Sequence, residues 1–326
     1  MSDKLVKMKT AFRKVFKLPN VNMLKWYPGH MLKGMLQIQA KLQKIDCIIE
    51  VHDARIPFSG RNIRFRDIIK LRPHVLLLNK VDLTNLRDDN IKKDKIINKL
   101  KQQGVDTVFL TNLKETHFES FLQKTVLPVT QDLISKRPRY NREEVLDFNY
   151  LVIGVPNVGK STFINSLRST LLKKKGHATS VGAIAGITRS VLSKIKVSSN
   201  PNIYIIDTPG IMPPKFDNIE TGMKVAACSC LPDHLVGEIN IADFILFWLN
   251  KHEDFQYVKY FELSEATDNI VQVLTKIAIK RKAVNRIKDV ATQQYTYVPN
   301  LAQCAQIFIA AFREGSLGKH VLDDVE

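Results

Sequence analysis

Two apolar runs rich in β-branched and leucine residues occupy the first third of the chain, "KIDCIIEVHDAR" (44–55) and "RPHVLLLNKVDL" (72–83), and each ends in polar residues. Unbroken rather than alternating hydrophobicity predicts parallel strands covered on both faces, with polar loops at their carboxyl ends. Downstream, "IKKDKIINKLKQQG" has helical spacing and stops at Gly104, and "DTVFLT" (106–111) follows, so the segment reads strand, helix, strand. "FESFLQKTVLPVTQDLISK" has helical spacing that Pro128 is expected to interrupt, because proline lacks the N–H a helix interior needs. The charged "RPRYNREE" (137–144) reads as a linker. Beyond it, "LDFNYLVIGVPNVGKSTFINSLR" predicts a strand, a tight loop and a helix, and "SVLSKIKVSSNPNIYIIDTPGI" predicts two strands joined at "SSNPN", the second ending at Asp207. Alternating strands and helices predict an α/β domain with a mainly parallel sheet.

From about Lys215 the pattern turns helical and basic, as in "NIVQVLTKIAIKRKAVNRIKDV". The expected partition is an N-terminal segment over 1–25, an α/β domain over 26–214 and a smaller helical domain over 215–326. Within the first 25 residues, seven are basic and only Asp3 is acidic, while Leu5, Met8, Phe12, Val15 and Phe16 share one face of a helix. Two readings stand: a mitochondrial transit segment, or a basic amphipathic helix of a cytosolic protein that touches RNA or membrane. The apolar "IADFILFWL" carries Asp243 and is far shorter than the roughly 18 residues of a membrane span, which predicts a buried helix.

Charge changes this picture. Lys plus Arg number 49 against 32 Asp plus Glu, a net +17, far more than one bound nucleotide needs. A polyanion such as RNA is the expected partner, with an anionic membrane surface second. The four cysteines form no disulfide framework, which points to a reducing compartment. Cys228, Cys230 and His234 fall one ligand short of a zinc site and read as core residues.

The chemistry lies at the strand ends. Gly154 to Ser161 matches G-x-x-x-x-G-K-[ST] between a predicted strand and helix, the context that makes it a phosphate-binding loop. Backbone N–H groups of Asn157, Val158, Gly159 and Lys160 would ring the β-phosphate, with Thr162 in the same helical turn. Lys160 would reach the β- and γ-phosphates, and Ser161 would hold Mg²⁺. Base choice falls to "NKVD": Asp82 accepts two hydrogen bonds from guanine, Asn79 ties the loop together, the Lys80 stem covers the base and Val81 completes the turn. Adenine would set a lone pair against that carboxylate. Thr111 and Asn112 in "FLTN" would support the base. In "DTPG", Asp207 would hold Mg²⁺ through water and the Gly210 N–H would sense the γ-phosphate, while Thr188 in "AGITR" would add its hydroxyl to Mg²⁺.

The base loop therefore precedes the phosphate loop. With "WYPGHMLKG" and "EVHDARIPFSGRN" upstream, this order resembles the YlqF/RbgA family of circularly permuted GTPases, over nearly the whole chain from about Lys25, and most closely its mitochondrial branch. One departure is Ala185, where the family commonly has proline. The resemblance implies binding of GTP and GDP, hydrolysis coupled to maturation of the large ribosomal subunit, here the mitochondrial one, and a C-terminal helical domain that contacts ribosomal RNA. It implies a mitochondrial matrix location, with a peripheral contact on the inner membrane as a further expectation. It also implies that His30 of "PGH" orients the attacking water, since Ile211 stands where other GTPases place a glutamine. The alternative for His30 is a buttress for Trp26 and Tyr27. Asn157 would coordinate K⁺, as asparagine does at that place in similar GTPases. Rival readings are a GTP-binding RNA scaffold with negligible turnover, a cytosolic ribosome-assembly GTPase, and an ATP-dependent kinase, which "NKVD" disfavours.

Overall fold

The structure, a computed structural model, describes residues 12–20, 29–61, 71–139, 142–172, 194–208, 210–213, 216–288 and 295–325, apart from the side chains of residues 29, 30 and 287. Helix α1 (Gly29–Lys41) buries Met31, Met35 and Ile38 along one stripe and leads to β1 (Cys47–Asp53), β2 (His74–Asn79), α2 (Asn90–Gln102) and β3 (Thr107–Leu110). Strand β4 (Phe148–Ile153), helix α5 (Lys160–Leu172), β5 (Lys194–Ser199) and β6 (Asn202–Asp207) follow the helical stretch over 118–135. The six strands form one sheet in the order β3-β2-β1-β4-β6-β5, with every neighbouring pair parallel except β5 and β6. All of β1 and β2 is buried, as their unbroken apolar runs predict. The register sets Asp53 directly beside Asn79 at the carboxyl edge. Base-loop strand β2 and phosphate-loop strand β4 flank β1, so chain order and spatial order differ while the loops open on one edge.

The predicted break at Pro128 does not occur. Helix α3 (Phe118–Phe121) passes through a π-helical turn (Leu122–Val126) into α4 (Leu127–Ser135), with Pro128 in the first turn of α4. The wider turn spares the proline the partner its missing N–H would have required.

The chain divides into two compact units, one of residues 22–232 with 319–326, the other of 1–21 with 233–318. This differs from the partition at residues 25 and 214 in three places. Helix α6 (Ile219–Ala227) stays with the sheet, buried from Gly222 to Ala227. The last residues also return to the sheet unit: Val321 joins the apolar cluster around Leu76, Leu78, Val81 and Leu86, and the Leu322 N–H donates to the Arg55 carbonyl at 2.7 Å. Asp323, 6% exposed, accepts from the Phe58 and Ser59 N–H groups at 2.8 Å and from the Ser59 hydroxyl. Three donors satisfy a carboxylate that would be costly to bury alone.

In the other unit, the described N-terminal residues 12–20 are not helical, so the shared face expected of Phe12, Val15 and Phe16 is not formed there. Phe16 is buried, with its ring 5.2 Å from Phe244 and 5.6 Å from Phe247, while Val15 is 69% exposed. Arg13 pairs with Asp243 at 2.7 Å and Asp268 at 3.0 Å. Those tertiary contacts outweigh a helical periodicity that only local bonds would support. The helices of this unit are α7 (Asp233–Val236), α8 (Glu238–Lys251), α9 (Gln256–Tyr260), α10 (Ile270–Arg281) and α11 (Leu301–Arg313), with a hairpin of β7 (Val284–Lys288) and β8 (Tyr295–Pro299) before the last. Helix α8 contains "IADFILFWL" and buries all of it except Asp243, as the sequence predicts. Among the described residues, no helix is long and apolar enough to cross a membrane.

Candidate functional site

Four loops meet at the carboxyl edge of β1, β2, β3 and β4. The phosphate loop runs from Gly154 to Gly159, and Lys160, Ser161 and Thr162 open α5. A Cβ on Gly154 would meet the Val51 carbonyl at 2.1 Å, and one on Gly159 would meet Asn79 Nδ2 at 2.6 Å, at φ values of +147° and +109°. Both positions therefore require glycine, which lets the loop backbone turn where a side chain would clash. Asn157 also has a left-handed φ of 59°, and its amide donates to the Ser229 carbonyl at 2.8 Å.

The base loop is tied to that cradle at several points. Asn79 Nδ2 donates to the Val158 carbonyl at 2.7 Å, and Asn79 Oδ1 accepts from the Leu113 N–H at 3.0 Å. Lys80, left-handed at φ 61°, sends its ammonium to the Asn157 carbonyl at 3.0 Å. The Val81 N–H donates to the Thr111 carbonyl at 3.2 Å. Val81, Thr111, Asn112 and Phe118 line a cavity of about 410 Å³. Oδ1 of Asp82 is buried with no hydrogen-bond partner among the described residues. A carboxylate oxygen stripped of water and left without a donor fits guanine, whose edge supplies two.

The third segment follows β6. Thr208 donates to the Val152 carbonyl at 2.7 Å, the Ile211 N–H donates to the Gly154 carbonyl at 3.2 Å, and a Cβ on Gly210 would meet the Pro156 nitrogen at 2.7 Å. The DTPG segment is thus packed onto the phosphate loop. Asp207 is 3% exposed, and burial raises its pKa against the opposing pull of Lys160. A desolvated carboxylate beside a phosphate cradle, with the Ser161 hydroxyl on the adjoining helix, is a hard oxygen donor set that suits Mg²⁺.

The comparisons agree with this geometry. Residues 149–296 match the family model described as "50S ribosome-binding GTPase". The chain is 46% identical over 325 residues, 99% of both chains, to the mitochondrial ribosome-associated GTPase 1 of Ictalurus punctatus, and 42% identical to that of Bos taurus over 97% of this chain and 93% of the relative. It is 32% identical over 267 residues to the ribosome biogenesis GTPase A of Bacillus licheniformis, covering 79% of this chain and 86% of the relative. The chain belongs to the YlqF/RbgA family of circularly permuted GTPases. A GDP-bound structure of TM YlqF shares the fold, with a TM-score of 0.54 at 21% identity over 88% of this chain and 98% of that one.

For this GTPase the site holds groups that sequence reasoning passed over. Asp53, fully buried, bonds Arg55 at 2.8 Å and the Lys80 ammonium at 2.9 Å. Burial alone would raise its pKa, but Arg55 and Lys80 together outweigh that and hold it below the usual carboxylate range. "HDAR" closing a predicted strand was the available signal. The thiols of Cys228 and Cys230 are fully buried, and burial pushes Cys230 up to about 11, so both sit protonated as core groups. His30 lies in the first turn of α1 with its side chain outside the described residues, and Thr188 lies outside them altogether.

Lys160 gives a prediction. Burial lowers its pKa to about 8, Asp207 opposing, and its Nζ donates to the Val155 carbonyl at 2.7 Å. Phosphates need the ammonium form, which is present below that value and has to be regained above it. GDP affinity is therefore expected to be level below pH 8 and to fall by about tenfold per pH unit above it. Calorimetric titration from pH 7 to 9 checks this, and Lys160→Arg, permanently charged, should flatten the profile.

Proposed function

We propose that this GTPase acts in assembly of the mitochondrial large ribosomal subunit, binding ribosomal RNA while GTP is held and releasing it after hydrolysis to GDP. The observation that carries the reading is the end-to-end likeness to relatives named for ribosome association, on a chain of net charge +17. Ribosomal RNA is the polyanion this charge suits, and the helical unit is its reader. The location is the matrix, with a peripheral contact on the matrix face of the inner membrane.

In the reaction, water attacks the γ-phosphorus, the bond to the bridging oxygen of GDP breaks, and that oxygen leaves with the electron pair. Asp82 selects guanine, while Lys160 and the N–H groups of Asn157, Val158 and Gly159 bind the phosphates. The Gly210 N–H meets the γ-phosphate. Ser161 and Thr188 would hold Mg²⁺, with Asp207 holding it through water, and the bound ion would neutralise phosphate charge. His30 orients the attacking water, and Asn157 would hold K⁺, which would supply positive charge in place of an arginine finger. Loss of the γ-phosphate frees the DTPG segment, from which the chain runs through α6 to the helical unit at Asp233.

Ile211 favours a second reading. It is 3% exposed and cannot orient water, as a scaffold that binds GTP without turning it over would have it. GTP turnover, measured in K⁺ and in Na⁺ buffer with and without mitochondrial large subunits, separates the two. The expected result is strong stimulation by subunits in K⁺, reduced by about 100-fold in His30→Ala with GTP binding intact. A rate that subunits leave unchanged sinks the ribosome-triggered reading and selects the scaffold. Equal rates in Na⁺ and K⁺ remove the potassium site, and stimulation that survives in His30→Ala removes the histidine.

A further inference from the structure

Among its described side chains, the hairpin of β7 and β8 buries none. Every described side chain of Val284–Lys288 and of Tyr295–Val298 is exposed, on both faces of the ribbon. Two-stranded hairpins that cover nothing are marginal in water, and tyrosine normally buries its ring. Yet Tyr295 is 50% exposed and Tyr297 67%. The hairpin is rooted in its own unit by the Asn300 N–H, which donates to the Ala283 carbonyl at 2.9 Å, and by Asn300 Nδ2, which donates to Asn285 Oδ1 at 3.1 Å. Its position is fixed while its surface stays open.

The register sorts its chemistry. Arg286 stands opposite Tyr297 and Lys288 opposite Tyr295, and cross-strand partners share a face. One face thus presents two cations and two phenol rings. Arg286 sits over the Tyr295 ring, its guanidinium carbon 3.5 Å from the centroid, and Lys288 stands 6.0 Å from the same ring. Neither strand holds an acidic residue, and the hairpin follows "KRK" at 280–282.

We propose that the Arg286, Lys288, Tyr295 and Tyr297 face is a stacking platform for unpaired RNA bases. It rests on the RNA-binding reading above and assigns that reading a surface. Flat aromatic faces on a sheet, interleaved with cations that reach the flanking phosphates, suit splayed single-stranded bases and have no use for the deep groove of a duplex. An anionic membrane is the less fitting partner, because the face carries no leucine, phenylalanine or tryptophan to bury among acyl chains.

The test uses the full-length chain and a fluorescein-labelled single-stranded RNA oligonucleotide, followed by anisotropy over a range of salt, with an RNA duplex and vesicles of phosphatidylcholine and cardiolipin in parallel. Tyr295→Ala/Tyr297→Ala is expected to weaken single-strand binding by about 30-fold or more with its salt slope unchanged. Tyr295→Phe/Tyr297→Phe keeps the rings and should bind as the wild type does, which separates stacking from any loss of fold. Arg286→Ala/Lys288→Ala should lower the salt slope by about 1.4, at roughly 0.7 for each phosphate contact to a single strand. Wild-type affinity in the alanine pair overturns the platform but leaves the RNA reading standing; a wild-type chain that binds no RNA removes both. An alanine pair that loses the vesicles and keeps the RNA makes the face a membrane contact and overturns the proposal.

Discussion

Asp82→Asn is expected to lower GTP affinity by about 10³-fold or more and to raise affinity for xanthosine triphosphate. The reason is the buried, unpartnered Oδ1 of Asp82. Guanine offers that carboxylate two donors, the N1–H and the exocyclic amine. Asparagine turns one acceptor into a donor, which then faces the amine hydrogen-to-hydrogen in a place where water cannot relieve the clash. Xanthine carries a carbonyl where guanine carries the amine, so the new amide meets an acceptor. The phosphate loop is untouched, and the same variant should retain its fold and its response to Mg²⁺. Competition of GTP, ATP and xanthosine triphosphate against a fluorescent GDP reads the switch directly. Undiminished GTP affinity in the variant would mean that Asp82 does not read the base.

The second large effect is expected at Asp53. Its carboxylate is the common partner of Arg55 and Lys80, and all of it is buried. Asp53→Ala leaves the Arg55 guanidinium, itself 3% exposed, without its counter-ion. Breaking a buried pair from one side costs about 3–5 kcal/mol, which urea unfolding should show. Binding should suffer separately. Lys80 spans from Asp53 to the Asn157 carbonyl, and it is thereby one of the links between base loop and phosphate loop. Without Asp53 the ammonium is free to leave that bridge, and GDP should dissociate faster even under conditions where the variant remains folded. Asp53→Glu, one methylene longer, should recover part of the stability but little of the dissociation rate, since the bridge depends on position and not on charge alone.

The phosphate-loop and base-loop motifs were legible because their parts are local. A phosphate loop needs glycine where a Cβ would strike the backbone, as at Gly154 and Gly159, and that requirement is written in consecutive residues. The same holds for β1 and β2, whose unbroken apolar runs announced strands buried on both faces. Pro128 misled because a single residue's missing N–H matters only if the helix around it keeps a regular turn, and here a π turn intervenes. Phe12, Val15 and Phe16 misled in the opposite direction, since a helical period without a helix's neighbours says nothing of which side chains find a pocket.

By itself, then, the sequence determined the motifs and the charge: N-K-x-D from Asn79 to Asp82, a phosphate loop from Gly154 to Ser161, the DTPG run that opens at Asp207, and an excess of basic residues. It determined the reversed loop order as well. Only the tertiary structure decided how these parts are held. It placed Asp53 beside Asn79 across two strands, returned Val321 and Asp323 to the sheet unit, and left Tyr295 and Tyr297 exposed on one face. The physical reason is range. Backbone sterics and hydrogen-bonding capacity act between neighbours along the chain, while burial and the pairing of charge depend on residues brought together from distant positions, such as Ser59 and Asp323.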